Sequence, residues 1–218
     1  MFLRFRYDSF DSFTERVQKA LADGHDLSVA DEFEAPRLYY DFQKQQGDIS
    51  YFFVWGAGLC VAEVDVLSGA FRLVDTVLVQ DTGKSLNPHL DVGQVEGGFV
   101  YGLGYYVLEE MIYDRRKGGL ITDNVSSYKL PSCGDVPQNW DIELLTYEPT
   151  TDEIGIYNSK GVGEANVQLG LAGFFAIEDA VRAARKEAGL EPYVHVGFPS
   201  SVERVAAALP TIEQLINK

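Results

Sequence analysis

A single carboxylate at a glycine-rich turn is the group in this sequence that is best placed to do chemistry. Glu164 ends the segment Ser159-Lys160-Gly161-Val162-Gly163-Glu164, between a predicted short strand at 154–157 and a predicted helix at 167–188. Apolar residues crowd the first turns of that helix, so we expect Glu164 to lie at its buried end. Such a carboxylate can act as a general base. It can also be an anion that stabilises a helix start, and the short motif alone favours this second interpretation.

A glycine-rich helix is the second feature of chemical interest, predicted at residues 91–111. It contains the glycines Gly93, Gly97, Gly98, Gly102 and Gly104. Each costs about 1 kcal/mol relative to alanine in a helix interior, so some gain must offset them. Glycines four residues apart let a neighbouring backbone or a flat ligand approach, and spacing alone favours packing somewhat over a ligand. Gln94 in the first turn is placed either to donate its amide to a bound group or to cap the helix.

The composition argues against several classes of partner. The 218 residues include 18 lysines and arginines against 33 aspartates and glutamates, a formal net charge of -15. This charge repels phosphate backbones and anionic lipids, so we expect neither nucleic-acid nor membrane partners. No apolar run of about 18 residues is present to span a bilayer, and a cytoplasmic protein is expected. Cys60 and Cys133 lack C-x-x-C spacing and are expected to be ordinary thiols.

The order of predicted elements indicates an α+β fold. A capping box starts a first helix at residues 12–22, and an extended connector follows. Residues 50–80 alternate polar and apolar side chains on both sides of a turn, as in a β-hairpin. Together with strands at 141–157, the hairpin predicts a mostly antiparallel sheet on which the two later helices pack. We therefore divide the chain into an N-terminal helix and connector, 1–46, and a main domain, 47–218.

Four motifs follow one another along the main domain. They are Asp81-Thr82-Gly83-Lys84-Ser85-Leu86-Asn87-Pro88, Asp91-Val92-Gly93-Gln94-Val95-Glu96-Gly97-Gly98-Phe99, Tyr128-Lys129-Leu130-Pro131 and the segment from Ser159 to Glu164. In this order they resemble the C-terminal part of the molybdenum-binding domain, which binds molybdopterin, in the xanthine dehydrogenase and aldehyde oxidase family. The resemblance runs from about Leu27 to Leu209, and four ordered motifs are far more specific than any one of them.

The resemblance implies a molybdenum hydroxylase, in which molybdopterin holds a molybdenum with oxo, sulfido and hydroxo ligands. Such enzymes oxidise N-heterocycles or aldehydes with oxygen derived from water. The resemblance makes Glu164 the general base that removes the proton from the hydroxo ligand. It also implies that Gln94, with Gly93, contacts the cofactor beside the metal and that Val162 and Gly163 pack against it. No protein ligand to the metal is expected, and the histidines lie in unrelated contexts: His25, His89 and His195.

Two differences from the family limit what can be carried over. Two prolines usually follow the family's glutamate, whereas Ala165-Asn166 follow Glu164 here. The family enzymes are also several times longer, and this chain lacks their iron–sulfur domains, their flavin domain and the earlier half of the molybdenum domain. We expect those parts, with their iron–sulfur clusters and FAD, on missing segments or partner chains, and we expect the isolated chain to be inactive. The alternative is a non-catalytic fragment or an assembly or binding module without the metal. Whether the pterin is the cytosine dinucleotide form is left open.

Overall fold

The computed structural model describes residues 12–30, 32–34, 37–145 and 155–216. The chain divides into two compact units, Met1–Arg37 and Leu38–Lys218. In the first unit, helix α1 (Phe13–Ala22) begins at the predicted capping box. The Glu15 N–H donates to the Ser12 hydroxyl at 3.3 Å, and the Ser12 N–H donates to the Glu15 carboxylate at 2.7 Å. This reciprocal pair satisfies two N–H groups that the helix itself cannot.

All elements around the predicted site belong to the second unit. A small hairpin of β1 (Tyr40–Asp41) and β2 (Gln46–Gly47) comes first. The domain boundary that we placed at residue 46 stays a prediction. The long hairpin is confirmed, since β3 (Gly56–Val64) and β4 (Phe71–Asp81) pair antiparallel.

The third strand gives the sheet a mixed character. Strand β5 (Asn139–Leu145) lies on the other side of β4 and runs parallel to it, with Asp141 opposite Val77. A parallel pair requires a long crossover, and helix α2 (Pro88–Val107) lies in the connection between these two strands. The predicted α+β class is therefore confirmed, and the sheet combines the expected antiparallel hairpin with one parallel strand that the sequence did not indicate.

The predicted strand at 154–157 is wrong for the part that the structure describes. Residues Ile156–Asn158 form a turn of 3-10 helix. Tyr157 and Asn158 have φ angles of 54° and 63°, in the left-handed region that a strand cannot contain. Residues 146–154, within the range where we expected strands, lie outside the described residues.

The hydrophobic core lies between one face of the sheet and two helices. Helix α2 and helix α3 (Leu171–Glu187) pack on this face, which confirms the predicted arrangement. Leu78 of β4, Phe99 of α2 and Ile177 of α3 are each 0% exposed. Phe99 also meets Trp140 of β5 edge to face, with ring centroids 5.4 Å apart. The core therefore fixes α2 and α3 relative to the sheet.

Both predicted helices are present with shifted ends. Helix α2 begins at Pro88 because Asn87 caps it, accepting a hydrogen bond from the Leu90 N–H. Helix α3 begins only at Leu171, because a second 3-10 helix (Ala165–Gly170) precedes it. The described chain ends with α4 (Val202–Ala208) and α5 (Ile212–Ile216). Within the described residues, none of the helices combines the length and the apolar character needed to cross a membrane.

A buried ion pair joins the end of β4 to the turn before Glu164. Lys160 Nζ lies 2.6 Å from Asp81 Oδ2, and the two side chains are 4% and 1% exposed. The same ammonium donates to Phe53 O at 2.9 Å, and Asp81 Oδ1 accepts from the Gly83 N–H at 2.9 Å. Buried charges are stable only when they are paired and hydrogen-bonded. The pair therefore fixes where the turn starts.

A different contact holds the second 3-10 helix against α2. A Cβ built at Gly102 of α2 would lie 1.9 Å from Val167 O, so only glycine allows the two backbones to approach this closely. Gly93 and Gly97 differ, since apart from the adjacent turns of α2 itself no atom of the described residues lies within 4 Å of a Cβ built at either one. Packing among the described residues therefore explains Gly102 and gives no packing role to Gly93 and Gly97.

We expect Lys160→Met to lower the free energy of unfolding by about 3–5 kcal/mol, because the Asp81 carboxylate stays buried without the ammonium. The matched control is Arg72→Met, which removes a pair with Glu63 whose side chains are 57% and 58% exposed. That control should cost about 1 kcal/mol or less, as exposed pairs do. Urea denaturation of both variants measures the difference, and equal losses would contradict the anchoring role of the buried pair.

Two alanine substitutions on α2 should have opposite effects on stability. Gly102→Ala should lower the free energy of unfolding by about 1–3 kcal/mol or more, since the new methyl group must displace the Val167 backbone. Gly97→Ala should raise it by about 0.5–1 kcal/mol, because alanine favours the helix and the methyl group enters open space. Thermal and urea denaturation test both. A loss of stability in Gly97→Ala would show that this face is packed as well.

Candidate functional site

Two of the four sequence motifs are hydrogen-bonded to each other. The Lys160 N–H donates to Thr82 O at 2.9 Å, and the Lys84 N–H donates to Asn158 O at 2.9 Å. Together with the buried pair of Lys160 and Asp81, these bonds hold the start of the glycine turn against the end of β4. Residues of the first motif therefore hold the start of the fourth motif in place. The sequence does not indicate this contact, because the two motifs lie far apart along the chain.

Asn166 links the other end of the turn to helix α2. Its side chain is 0% exposed. Its amide nitrogen Nδ2 donates to Gln94 O at 3.3 Å and also to Val162 O. Gly98 of α2 makes room for this contact, since a Cβ there would lie 2.8 Å from Asn166 Cβ and 3.3 Å from Gly163 O. The structure therefore brings together the backbones of three predicted site residues, Gln94, Val162 and Gly163.

Glu164 follows this junction directly and is exposed to solvent. The prediction that it lies at a buried helix end is wrong, because the segment buries Asn166 and Gly170 instead and α3 starts further along the chain. Among the described residues its side chain caps no helix N–H, although its backbone carbonyl accepts from the Val167 N–H at 3.2 Å. Glu164 is nevertheless the N-cap residue of the second 3-10 helix, so its interpretation as a helix-start anion stays open beside that of a general base, and its carboxylate is accessible.

The remaining predicted cofactor residues lie on an open surface of α2. Gln94 is exposed, and so are Gly93 and Gly97, which lie one turn apart. In the part of the chain that the structure describes, no atom beyond the adjacent residues and turns comes within 4 Å of a Cβ built at Gly93, Gly97 or Gly163. These glycines leave stretches of bare, accessible backbone next to Gln94 and Glu164.

This surface fits a large planar group that has hydrogen-bonding edges, as molybdopterin has. Bare backbone at Gly93 and Gly163 lets such a group approach closely. The Gln94 amide offers two donors and an acceptor for its edge. The Glu164 carboxylate adds a group that can accept a proton. The side chains present therefore suit the cofactor that the sequence motifs imply.

The third motif, Tyr128-Lys129-Leu130-Pro131, packs near the far end of α2. The Tyr128 hydroxyl donates to Glu109 Oε2 at 2.6 Å. This hydrogen bond is the main reason why the pKa of Tyr128 is raised to about 12, so the hydroxyl stays a donor at neutral pH. A Cβ at Gly104 would lie 2.6 Å from Pro131 Cγ. The motif thus has a packing role and does not join the predicted cofactor residues.

Sequence reasoning assigns no role to three residues on which the site depends: Asp81, Lys160 and Asn166. Periodicity does not reveal the first two, because each charge is paired with a partner 79 positions away in the sequence. A usable signal is the long charged side chain of Lys160 inside a turn of short residues, where it needs a partner. Asn166 is visible in the sequence only as a departure from the two expected prolines, and the structure shows that its amide performs a specific holding function.

Comparison with known proteins shows the family of this chain. The sequence profile of the molybdopterin cofactor-binding domain matches residues 2–137. The chain is 41% identical over 197 residues to aldehyde oxidase 3 of Mus musculus, which covers 90% of this chain and 14% of that protein. It is 36% identical over 206 residues to xanthine dehydrogenase 1 of Arabidopsis thaliana, covering 92% of this chain and 15% of that protein.

A solved structure shows the same fold. The aldehyde oxidoreductase from Desulfovibrio desulfuricans ATCC 27774 aligns with 88% of this chain and 19% of its own, with a TM-score of 0.62 and 25% sequence identity. The chain thus spans only a small part of the length of the proteins it matches, 14% and 15% for the two relatives above. From the ordered motifs, the fold and these matches, the chain belongs to the molybdopterin cofactor-binding domain family of the aldehyde oxidases and xanthine dehydrogenases.

Proposed function

We propose that this chain forms part of a molybdenum hydroxylase that oxidises N-heterocycles or aldehydes with oxygen derived from water. The observation that supports this most directly is the junction at Asn166, where the backbones of Gln94, Val162 and Gly163 meet beside the accessible Glu164 carboxylate. The names of the relatives, aldehyde oxidase and xanthine dehydrogenase, support the two substrate classes.

Each candidate residue has a distinct role in this proposal. Gln94 holds an edge of the cofactor through its amide, while the bare backbone at Gly93, Val162 and Gly163 lies against it. When bound, the molybdenum and its pterin supply the chemistry of oxygen transfer to an electron-poor carbon. Glu164 accepts at a carboxylate oxygen the proton that is released as the new carbon–oxygen bond forms. A positioned general base of this kind typically contributes about 10²–10⁴-fold in rate.

Partners are part of the proposal, because the chain spans 14% of a relative such as aldehyde oxidase 3. We assign the other half of the molybdenum domain, iron–sulfur clusters and a flavin to further segments or partner chains in the cytoplasm. Large apolar side chains at the surface support such partners, since Trp55 and Leu59 are 69% and 61% exposed. An isolated domain seldom leaves a cluster of such side chains uncovered.

The 218-residue chain alone, reconstituted with the molybdenum cofactor, should not turn over a purine or an aldehyde. Its candidate site is open on one side, so the cofactor binds weakly and water reaches the reacting groups. A dye-reduction assay with the complete enzyme as positive control measures this. Ordinary turnover by the isolated chain would show that the site needs no partner.

In the complete enzyme, Glu164→Gln keeps the shape of the side chain and removes the proton acceptor. We expect kcat to fall by about 10²–10⁴-fold while molybdenum content is retained. Gln94→Ala should do the reverse, lowering molybdenum content with a smaller loss of turnover at matched content. Rapid mixing with substrate, followed by the absorbance of the metal centre, gives the rate of the chemical step. Near-equal rates in wild type and Glu164→Gln would remove Glu164 from the mechanism.

A further inference from the structure

We infer that Asn166 is a positioning residue of this site, whose side-chain amide holds the turn that carries Glu164 at a fixed place against α2. Its effect on turnover rests on the proposed function, whereas its effect on the turn does not. The residue itself is buried and has no contact with bulk solvent, so it acts on the reaction only through Glu164 and Gln94.

Both N–H groups of the Asn166 side-chain amide donate hydrogen bonds to backbone carbonyls. One donates to Gln94 O in the first turns of α2, 3.3 Å away, and the other donates to Val162 O in the glycine turn. These acceptors lie 72 and 4 positions from Asn166 in the sequence. A single planar group therefore sets the spacing between the two backbones, because an amide has only these two donors.

The same side chain carries a feature that stability alone does not explain. Asn166 Oδ1 is buried and has no hydrogen-bond partner among the described residues. A buried acceptor without a partner destabilises the folded state, and an apolar side chain would avoid this penalty. An amide at this position is therefore explained by its two donors, which hold Gln94 and Val162 together.

Glu164 needs such a support because glycines precede it in the turn. Gly161 and Gly163 precede it and allow many backbone conformations. Its own side chain is exposed, and its backbone is tied by the Val167 N–H, which donates to Glu164 O at 3.2 Å. A general base must be held close to its productive position for its full effect. Asn166 lies between Glu164 and Val167, where its amide can provide that restraint.

A neighbouring contact offers a matched control. The Tyr106 hydroxyl donates to Gln168 Oε1 at 3.1 Å, which also joins α2 to the second 3-10 helix. This bond involves an amide side chain two positions beyond Asn166 and does not include Gln94 or Val162. Gln168→Ala therefore removes one hydrogen bond between the same two elements and leaves the turn in place.

The first experiment measures hydrogen exchange in the full 218-residue chain without cofactor. Asn166→Ala removes both donors, and Asn166→Asp replaces them with acceptors at nearly constant volume. The Val167 N–H donates to Glu164 O, and both variants lose the two hydrogen bonds that hold the turn carrying Glu164. In both variants the Val167 amide should therefore exchange about tenfold faster or more. The Lys160 amide, on the far side of the turn, should keep its rate, and so should both amides in Gln168→Ala. Unchanged exchange at Val167, or an equal change in Gln168→Ala, would overturn the inference.

The second experiment uses the complete enzyme at matched molybdenum content. Asn166→Ala should lower kcat by about tenfold or more while KM stays near the wild-type value, and Gln168→Ala should match wild type. A rate change that disappears once molybdenum content is matched, or that a loss of thermal stability explains in full, would overturn the positioning role. An unchanged kcat in Asn166→Ala beside a collapsed kcat in Glu164→Gln would also overturn it and leave the proposed function intact. If Glu164→Gln is itself fully active, the proposed role of Glu164 as general base fails, and the exchange rates alone decide whether Asn166 holds the turn.

Discussion

The backbone contact between α2 and the second 3-10 helix is the constraint on which the candidate site depends. At Gly102 a Cβ would lie 1.9 Å from Val167 O, and at Gly170 it would lie 2.4 Å from Leu103 N, so each side of the crossing requires a glycine. The two glycines set the distance between the backbones, and that distance places the turn beside Gln94. The close contact over this crossing offsets the low helix propensity of Gly102.

The turn that carries Glu164 is held at its two ends by different physical interactions. At the start, Lys160 is tied to Asp81 by a buried ion pair and by backbone bonds to the strand end. At the end, Asn166 is tied to α2 by a neutral hydrogen bond from its amide to Gln94 O. Between these anchors the chain is short and rich in glycine, and its carboxylate is exposed. A turn that is held at both ends keeps the Glu164 carboxylate in position, and the exposure of the carboxylate lets it reach a bound molecule.

The parts of the fold that depend on neighbouring residues were predicted from the sequence. The parts that depend on residues far apart in the sequence were not. The capping box of α1 and the β3–β4 hairpin depend on neighbouring residues, and both are present. The parallel pairing of β5 depends on a crossover through α2, which alternation of side chains cannot reveal. The exposure of Glu164 could not be predicted either. Apolar periodicity shows which face of a helix is buried, but it does not show that a 3-10 helix precedes α3 and moves the start of α3 away from Glu164.

The glycines of α2 show what sequence spacing can and cannot predict about function. Spacing predicted that something approaches the helix closely, and the structure separates Gly98 and Gly102, which meet the 3-10 helix, from Gly93 and Gly97, which meet no described residue. For the second pair, the helix-propensity cost of about 1 kcal/mol per glycine is not offset by packing against the described residues. Natural proteins tolerate such costs mainly where a binding surface needs them. This pair flanks Gln94, which the sequence motifs associate with the cofactor, so the glycines whose cost no described contact offsets lie at the proposed binding surface.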